Sequence, residues 1–172
     1  VTNMTSMFRA TKFNHAIGNW DVSNVNNMSS MFREAREFNQ PIGNWNVGNV
    51  TNMNAMFREA DVFDQPIGNW NVANVRNMVD MFFGTNAFNA DISNWDVSNV
   101  TDMGNMFRET GVFNQPIGNW NVANVRSMRE MFFRTPFNQD ISQWNTSKVT
   151  DMGNMFREAK AFNQPIGNWD VS

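Results

Sequence analysis

Few side chains in this sequence are suited to catalysis or metal binding. There is one histidine, His15, and no cysteine, which excludes disulfides, thiolate metal sites, cysteine nucleophiles and zinc sites built on several imidazoles. Without a second histidine, a Ser–His–Asp triad cannot recur along the chain. His15 stands where other copies of a repeated segment carry glutamine, so we interpret it as variation at a turn. The sequence predicts a protein that is not an enzyme, with no catalytic residue and no cofactor.

A column of Asp and Asn residues, one after each tryptophan, offers the oxygen ligands that Ca²⁺ prefers. Glycine-rich calcium-binding nonapeptides are absent, however, and the alternation of Asp with Asn dilutes repulsion between like charges. We therefore predict no metal site here. Because the column is expected on the outer face of a strand, we select it as a candidate partner-binding surface, formed by Asp21, Asn46, Asn71, Asp96, Asn121, Asn145 and Asp170.

The column is one consequence of a tandem repeat, which must position every candidate residue. Tryptophan recurs every 25 residues with a single spacing of 24, at Trp20, Trp45, Trp70, Trp95, Trp120, Trp144 and Trp169. All 14 methionines occur as Met-x-x-Met pairs followed directly by Phe, and an Ile lies three residues before each Trp. Such agreement at fixed offsets identifies seven copies of one unit. Two copies are one residue shorter before their second Phe, which indicates an external loop.

Each repeat is expected to contain one helix and one strand. Placed on a helix, Val25, Met28, Met31, Phe32 and Ala35 fall within an arc of about 120°, which predicts an amphipathic α-helix. The spacing of three between Val25, Met28 and Met31 also fits a 3₁₀-helix.

The alternation in Ile42-x-x-Trp45-x-Val47 predicts a short strand. The fold class predicted is therefore α/β: a right-handed, leucine-rich-repeat-like solenoid of seven repeats, forming a single domain over residues 1–172. Parallel strands would line one face and helices the other, around a shared Met, Phe, Trp, Ile and Val interior. The Asn after each second Phe is expected to form an internal ladder.

Two repeats differ from the rest and define a candidate contact patch. Repeats four and six carry Phe83 and Phe133 where the others carry Arg, and they place Arg76 and Arg126 seven residues earlier. Seven residues is nearly two helical turns, so each Arg and the extra Phe are expected on one flank. Two such aromatics either form a contact surface or pack over a neighbouring repeat, and we favour packing.

The repeat F-N-Q-P-I-G-N-W-N-V-x-N-V-x-x-M-x-x-M-F closely resembles a known family. It is similar to the 25–26-residue repeats of bacterial surface proteins and lipoproteins, of Listeria-type and mycoplasma-type surface arrays, related to BspA-like leucine-rich repeats. The resemblance covers the whole chain. It implies a secreted or surface-displayed region used in adhesion, with no catalytic residues to transfer, and an extracellular or cell-surface location.

Net charge and hydropathy exclude two classes of partner, nucleic acids and the membrane interior. The 13 Lys and Arg against 16 Asp and Glu give a net charge of −3, which argues against nucleic-acid binding, and no apolar run is long enough to insert into a membrane. The predicted function is a non-enzymatic cell-surface repeat module for adhesion, binding a protein or glycan partner. The alternative is a self-assembling element that stacks end to end. Neither end shows a divergent polar cap, which predicts a segment of a longer array, ends covered by another domain or chain, or homo-association through the ends.

Overall fold

The computed structural model describes all 172 residues, and it contains neither an α-helix nor a β-strand. All 70 backbone hydrogen bonds lie outside regular helices and strands. The only bridges of β type between neighbouring repeats are isolated and parallel, at Asn3, Asn27, Asn52, Asn77, Asp102, Ser127 and Asp151. The predicted α/β, leucine-rich-repeat-like fold with helices and strands on opposite faces is therefore wrong.

Each repeat instead forms one irregular coil of backbone. We number the coils 1 to 7, for residues 1–25, 26–50, 51–75, 76–100, 101–125, 126–149 and 150–172. Successive coils stack because alternate N–H groups of one coil donate to carbonyls of the next, as from Met28 to Asn52 (3.0 Å) and from Ser30 to Asn54 (2.8 Å). The same bonds recur along the whole stack.

Left-handed backbone explains why the Met-x-x-Met segment is not a helix. In coil 2, Ser30 and Glu34 have φ values of 55° and 60°. Turns with i to i−3 hydrogen bonds surround them, such as Met31 N–H to Met28 O at 3.2 Å. A non-glycine residue in this conformation costs about 1–2 kcal/mol and ends right-handed helix. Each coil has two such residues four apart, and in the whole chain Gly84 is the only glycine among them.

The predicted strand is also absent. Across Ile42 to Val50 the backbone forms turns, with Trp45 N–H bonded to Ile42 O (3.1 Å) and Val50 N–H to Val47 O (2.9 Å). Parallel bridges occur instead at the start of the Met-x-x-Met segment, at Asn52 in coil 3. Alternating side chains were a misleading signal, because turns of this kind also alternate inward and outward positions.

The predicted shared interior is confirmed. In coil 3 the inward side chains all have at most 3% of their surface exposed: Met53, Met56, Phe57, Ala60, Phe63, Ile67, Trp70, Val72 and Val75. Equivalent rings stack from coil to coil, with 5.7 Å between the centroids of Phe32 and Phe57. Within a coil, Phe57 and Phe63 stack at 3.9 Å. No coil could bury these side chains alone, so the stack is the folding unit.

Two further features link coils. From coil 2 onward, each Trp indole donates to the carbonyl of the Ile in the coil before, as from Trp70 Nε1 to Ile42 O at 3.1 Å. Where this position is glycine the neighbouring backbone approaches closely, since a Cβ on Gly68 would lie 2.4 Å from the Asp91 carbonyl oxygen. Coils 4 and 6 carry Ser at this position. The structure contains no helix of the length and apolarity needed to cross a membrane.

The Asn ladder forms, but it is at the surface and not internal as predicted. Asn39 Oδ1 accepts the backbone N–H of Asp64 (3.0 Å), and Asp64 Oδ1 accepts that of Asn89 (2.8 Å). These bonds continue through every coil and lie in exposed surroundings. In coil 3, Gln65 adds a bond from its Nε2 to Asn39 O at 2.9 Å. The ladder therefore fixes the register of the stack at one outer edge.

Candidate functional site

The Asp/Asn column predicted as a binding surface is exposed in every coil. One side-chain oxygen of each member accepts the backbone N–H two residues further on, as from Ser98 to Asp96 (3.0 Å) and from Ala73 to Asn71 (3.2 Å). This is an Asx turn, which Asp and Asn form readily. The residues that repeat this bond are Asp21, Asn46, Asn71, Asp96, Asn121, Asn145 and Asp170. The column thus has a structural role whether or not it contacts a partner.

The same hydrogen bonds lower the pKa of the acidic members. The hydroxyl and then the backbone N–H of Ser98 hold the pKa of Asp96 below its ordinary value. The hydroxyl of Ser23 does the same for Asp21. For Asp170, the backbone N–H of Ser172 is the larger cause. These carboxylates are therefore charged at neutral pH.

The four residues of the predicted contact patch are not brought together. Arg76 and Arg126 are exposed, whereas Phe83 is partly buried and Phe133 is buried. The cations over the Phe83 ring belong to Arg58 and Arg108, with Cζ atoms 4.3 and 5.1 Å from its centroid. Without a helix, the seven-residue spacing does not align Arg76 with Phe83. The preference for packing over contact matches this geometry.

Arg and Phe alternate in a column along coils 3 to 7. Arg108 also lies over Phe133 (4.7 Å), and Arg157 covers the other side of that ring (5.7 Å). Coils 4 and 6, which carry the extra Phe, also supply an acidic residue that pairs with an Arg of the coil before. Arg58 Nη1 lies 2.7 Å from Asp80 Oδ2, and Arg108 pairs with Glu130. The sequence analysis did not predict this pairing. Its signal in the sequence is an acidic residue three positions before the extra Phe, which only coils 4 and 6 carry.

The few polar residues of the interior all have hydrogen-bonded hydroxyls. The buried polar residues are four threonines, and each hydroxyl donates to a backbone carbonyl, as from Thr85 to Phe57 (2.6 Å) and from Thr110 to Phe107 (2.7 Å). No group of three or more His, Cys, Asp or Glu side chains has the arrangement of a metal site.

A row of carboxamides that the sequence analysis did not single out lies just before the tryptophans. Its members are all exposed: Asn19, Asn44, Asn69, Asn94, Asn119, Gln143 and Asn168. None of the six Asn side chains has a hydrogen-bond partner within the protein, whereas Gln143 Nε2 donates to Oγ of its neighbour Ser142 (3.3 Å). The other Asn columns use their side chains in turns or between coils. The signal in the sequence was the recurrence of Asn or Gln directly before every Trp.

Shallow polar grooves adjoin this row between coils. One crosses coils 2 and 3 beside Asn44 and Asn69. Another crosses coils 3 and 4 beside Asn69 and Asn94, with Asp91 in its lining. A third crosses coils 5 and 6 beside Asn119. The residues that line these three grooves include no Lys, Arg or aromatic side chain.

A different, apolar groove lies on the outer face of coil 7. It is lined by Met152, Met155, Phe156, Ile166 and Trp169 among others. In the inner coils, the following coil covers the equivalent side chains. The face therefore has the shape and chemistry of a coil-to-coil interface.

Comparison with known proteins places the chain in a family. Residues 1–95 and 80–172 each match the family described as "Mycoplasma protein of unknown function, DUF285". No curated protein and no solved structure matches the chain. The two matches support a mycoplasma-type repeat, and they do not extend to the Listeria-type or BspA-like part of the resemblance. Since together the matches span all seven coils, the chain belongs to this Mycoplasma repeat family.

Proposed function

We propose that the chain is a non-enzymatic interaction module displayed at a cell surface, where its coils present repeated binding positions to a partner. One observation carries the proposal: several outward positions recur once per coil with the same or a similar residue, so the surface includes parallel rows of like side chains, such as Asn44, Asn69 and Asn94. Rows of equivalent sites favour multivalent binding, in which weak individual contacts add up to useful avidity.

The composition of the surface supports interaction over catalysis. The apolar side chains are used almost entirely between coils, and the polar ones recur without a unique constellation that a reaction would need. An enzyme also needs a water-excluding cavity. The grooves between inner coils are shallow, polar and open.

Surface labelling of intact cells that express the full-length protein tests the location. A membrane-impermeant amine reagent should modify Lys12, Lys148 and Lys160, which are exposed on the coils, while a cytosolic control protein stays unlabelled. Labelling only after cell lysis would refute display at the surface.

A second candidate function is end-to-end association of copies, favoured by the hydrogen-bonding groups of the outer coils. Between inner coils, N–H groups at the positions of Met128 and Glu130 donate to the next coil. The equivalent donors in coil 7, Met152 and Asn154, match the acceptors Asn3 and Thr5 of coil 1 in a second copy. The apolar groove on coil 7 would be covered at the same time.

Sedimentation velocity of the 172-residue chain separates this candidate from the first. Head-to-tail stacking predicts a mass that rises with concentration, and Met155→Arg should abolish the rise by placing a charge in the groove. Met7→Arg, on the exposed face of coil 1, should act alike because both faces take part. A monomer at every concentration would contradict end-to-end association.

A further inference from the structure

We infer that the row of free carboxamides formed by Asn19, Asn44, Asn69, Asn94, Asn119, Gln143 and Asn168 binds an extended, neutral polysaccharide lying along the stack of coils. The inference rests on the proposed interaction function and specifies its binding face and ligand class. It takes the place of the Asp/Asn column after the tryptophans, where one oxygen of each side chain is already engaged in an Asx turn.

The state of the side chains distinguishes this row from the rest of the surface. A carboxamide has two N–H donors and an oxygen acceptor. In four other Asn-rich columns, these groups hold the coil together: Asn71 and Asn77 accept turn N–H groups, Asn39 accepts from the next coil, and Asn74 donates to Gly48 O at 2.7 Å. Asn44, by contrast, has no partner, so its full hydrogen-bonding capacity faces solvent.

The chemistry of the row matches hydroxyl groups. Each sugar hydroxyl both donates and accepts, as a carboxamide does, so one Asn can bind a pair of neighbouring hydroxyls. A ligand that repeats along its length would meet one Asn per coil, at about the 4.8 Å spacing of paired backbone segments. This is comparable with the advance per sugar in an extended polysaccharide chain. The row can therefore bind successive sugars in register.

The grooves beside the row favour a neutral ligand. They contain no Lys or Arg, and they include the carboxylates of Asp91 and Asp140. Anionic polysaccharides and nucleic acids would be repelled there, because binding them requires clustered positive charge. A second feature disfavours a protein partner. Protein interfaces depend on buried aromatic or Arg anchors, and the residues that line these grooves include none.

Without an aromatic platform, each position binds weakly. A single hydrogen bond contributes about 0.5–1.5 kcal/mol, so one or two sugars should not bind measurably, whereas a chain that spans several coils should. The expected signature is affinity that rises steeply with the number of sugars and levels off when the ligand covers the seven positions.

The test uses the 172-residue chain on an array of neutral glucans, mannans, galactans and N-acetylglucosamine polymers, with hyaluronan and heparin as anionic comparators. At least one neutral polymer should bind, with affinity rising with length. The variant Asn44→Ala/Asn69→Ala/Asn94→Ala should lose binding by about tenfold or more. Its melting temperature should not change, because these side chains have no partners within the protein.

A matched control removes two carboxamides outside the row. Asn24 and Asn26 are also exposed and have no side-chain hydrogen bond, and Asn24→Ala/Asn26→Ala should leave binding unchanged. Binding of no neutral polymer, preference for the anionic ones, or equal loss in both variants would overturn the inference. The surface-labelling result does not depend on polysaccharide binding, so the proposed function can hold even if this inference fails.

Discussion

At the scale of single residues, the stack depends on backbone conformations that most of its side chains do not favour. Thirteen of the fourteen left-handed residues are not glycine, among them Ala55, Glu59 and Glu109. Each costs free energy that inter-coil packing must offset. The chain therefore contains many positions where a change to glycine relieves strain, and a few where glycine itself cannot be replaced.

Ser30→Gly should stabilise the protein. Ser30 has a φ of 55° and its hydroxyl makes no hydrogen bond within the protein. Glycine removes a cost of about 1–2 kcal/mol and adds about 0.5–1 kcal/mol of lost chain entropy, so the free energy of unfolding should rise by about 0.5–1 kcal/mol. Ser30→Ala is the control and should change little. Urea unfolding measures both, and a less stable Ser30→Gly would disprove the role of strain.

Gly68→Ala should destabilise the protein by about 1–3 kcal/mol, because the new Cβ would lie 2.4 Å from the Asp91 carbonyl oxygen and force the coils apart. The same change at Gly167 meets nothing within 4 Å. Thermal unfolding should show a lower melting temperature for the first variant and an unchanged or slightly higher one for the second. Equal melting temperatures of the two variants would mean that the backbone accommodates the new Cβ at residue 68 without loss of stability.

At the scale of the elements, the sequence predicts the repeat and its interior but not the backbone conformation. Spacings of three and four between Val25, Met28, Met31 and Phe32 fit a helix, yet turns with left-handed residues bury the same side chains. In coil 2 propensity gives no warning, because Ser30 and Glu34 are not residues typical of positive φ. Asn105 and Asn154 at the position of Ser30, and Gly84 at that of Glu34, were a partial signal. The backbone hydrogen bonds between coils join residues 23 to 26 apart, and no local sequence pattern indicates them.

For the candidate sites, the sequence predicts which residues are on the surface but not which hydrogen bonds they make. Repeat register alone places Asp96 and its equivalents on the outside, and this is where they lie. It cannot show that Ser98 N–H occupies an Asp96 oxygen, nor that Asn94 is free, since both facts depend on the turn geometry. Pairing Arg76 with Phe83 failed for the same reason, because it assumed a helix.

The Arg–Phe column should contribute a measurable interaction between coils. A double-mutant cycle of Arg58→Met and Phe83→Leu should give a coupling of about 0.5–1 kcal/mol, as expected for a cation over an aromatic ring at 4.3 Å. Arg9→Met with Phe83→Leu serves as the control, because coil 1 and coil 4 are not neighbours, and its coupling should be near zero. Similar coupling in both cycles would mean that the ring and cation do not interact specifically.

At the scale of the whole molecule, the low pKa values of the turn carboxylates make stability depend on pH. For Asp21, Asp96 and Asp170, hydrogen bonds from the following Ser hold the folded pKa below the ordinary 3.8. Their contribution is present above that value and is lost as pH falls through the folded pKa. The free energy of unfolding should therefore decrease below about pH 4.

The triple variant Asp21→Asn/Asp96→Asn/Asp170→Asn tests this cause. Asn keeps the acceptor oxygen without titrating, as Asn46 and Asn71 do in the wild-type chain. Urea unfolding from pH 5 to pH 2 should show a shallower loss of stability in the variant. An identical slope would assign acid sensitivity to other carboxylates.

Because each coil contacts only its neighbours, length should set stability by increments of whole coils. Deleting residues 76–100 removes coil 4 and joins coil 3 to coil 5 in register, so the shortened chain should fold with a lower free energy of unfolding. The slope of its unfolding free energy against urea concentration should fall by about one seventh, because that slope is proportional to the surface exposed on unfolding. The loss should exceed that of an average coil, because Arg58 loses both Asp80 and Phe83.

Two further deletions separate register from length. Removing residues 76–125 takes out two coils, yet it restores the pairing of Arg58 with an acid and a Phe, now Glu130 and Phe133 of coil 6. Stability per remaining coil should therefore be higher than after removal of one coil.

Removing residues 76–87 deletes only half a coil. The polar positions of the following residues would then lie against the Met and Phe interior, so this chain should not fold. Circular dichroism and urea unfolding distinguish the three chains. A folded half-coil variant would show that the stack does not require each coil to complete the interior of the next.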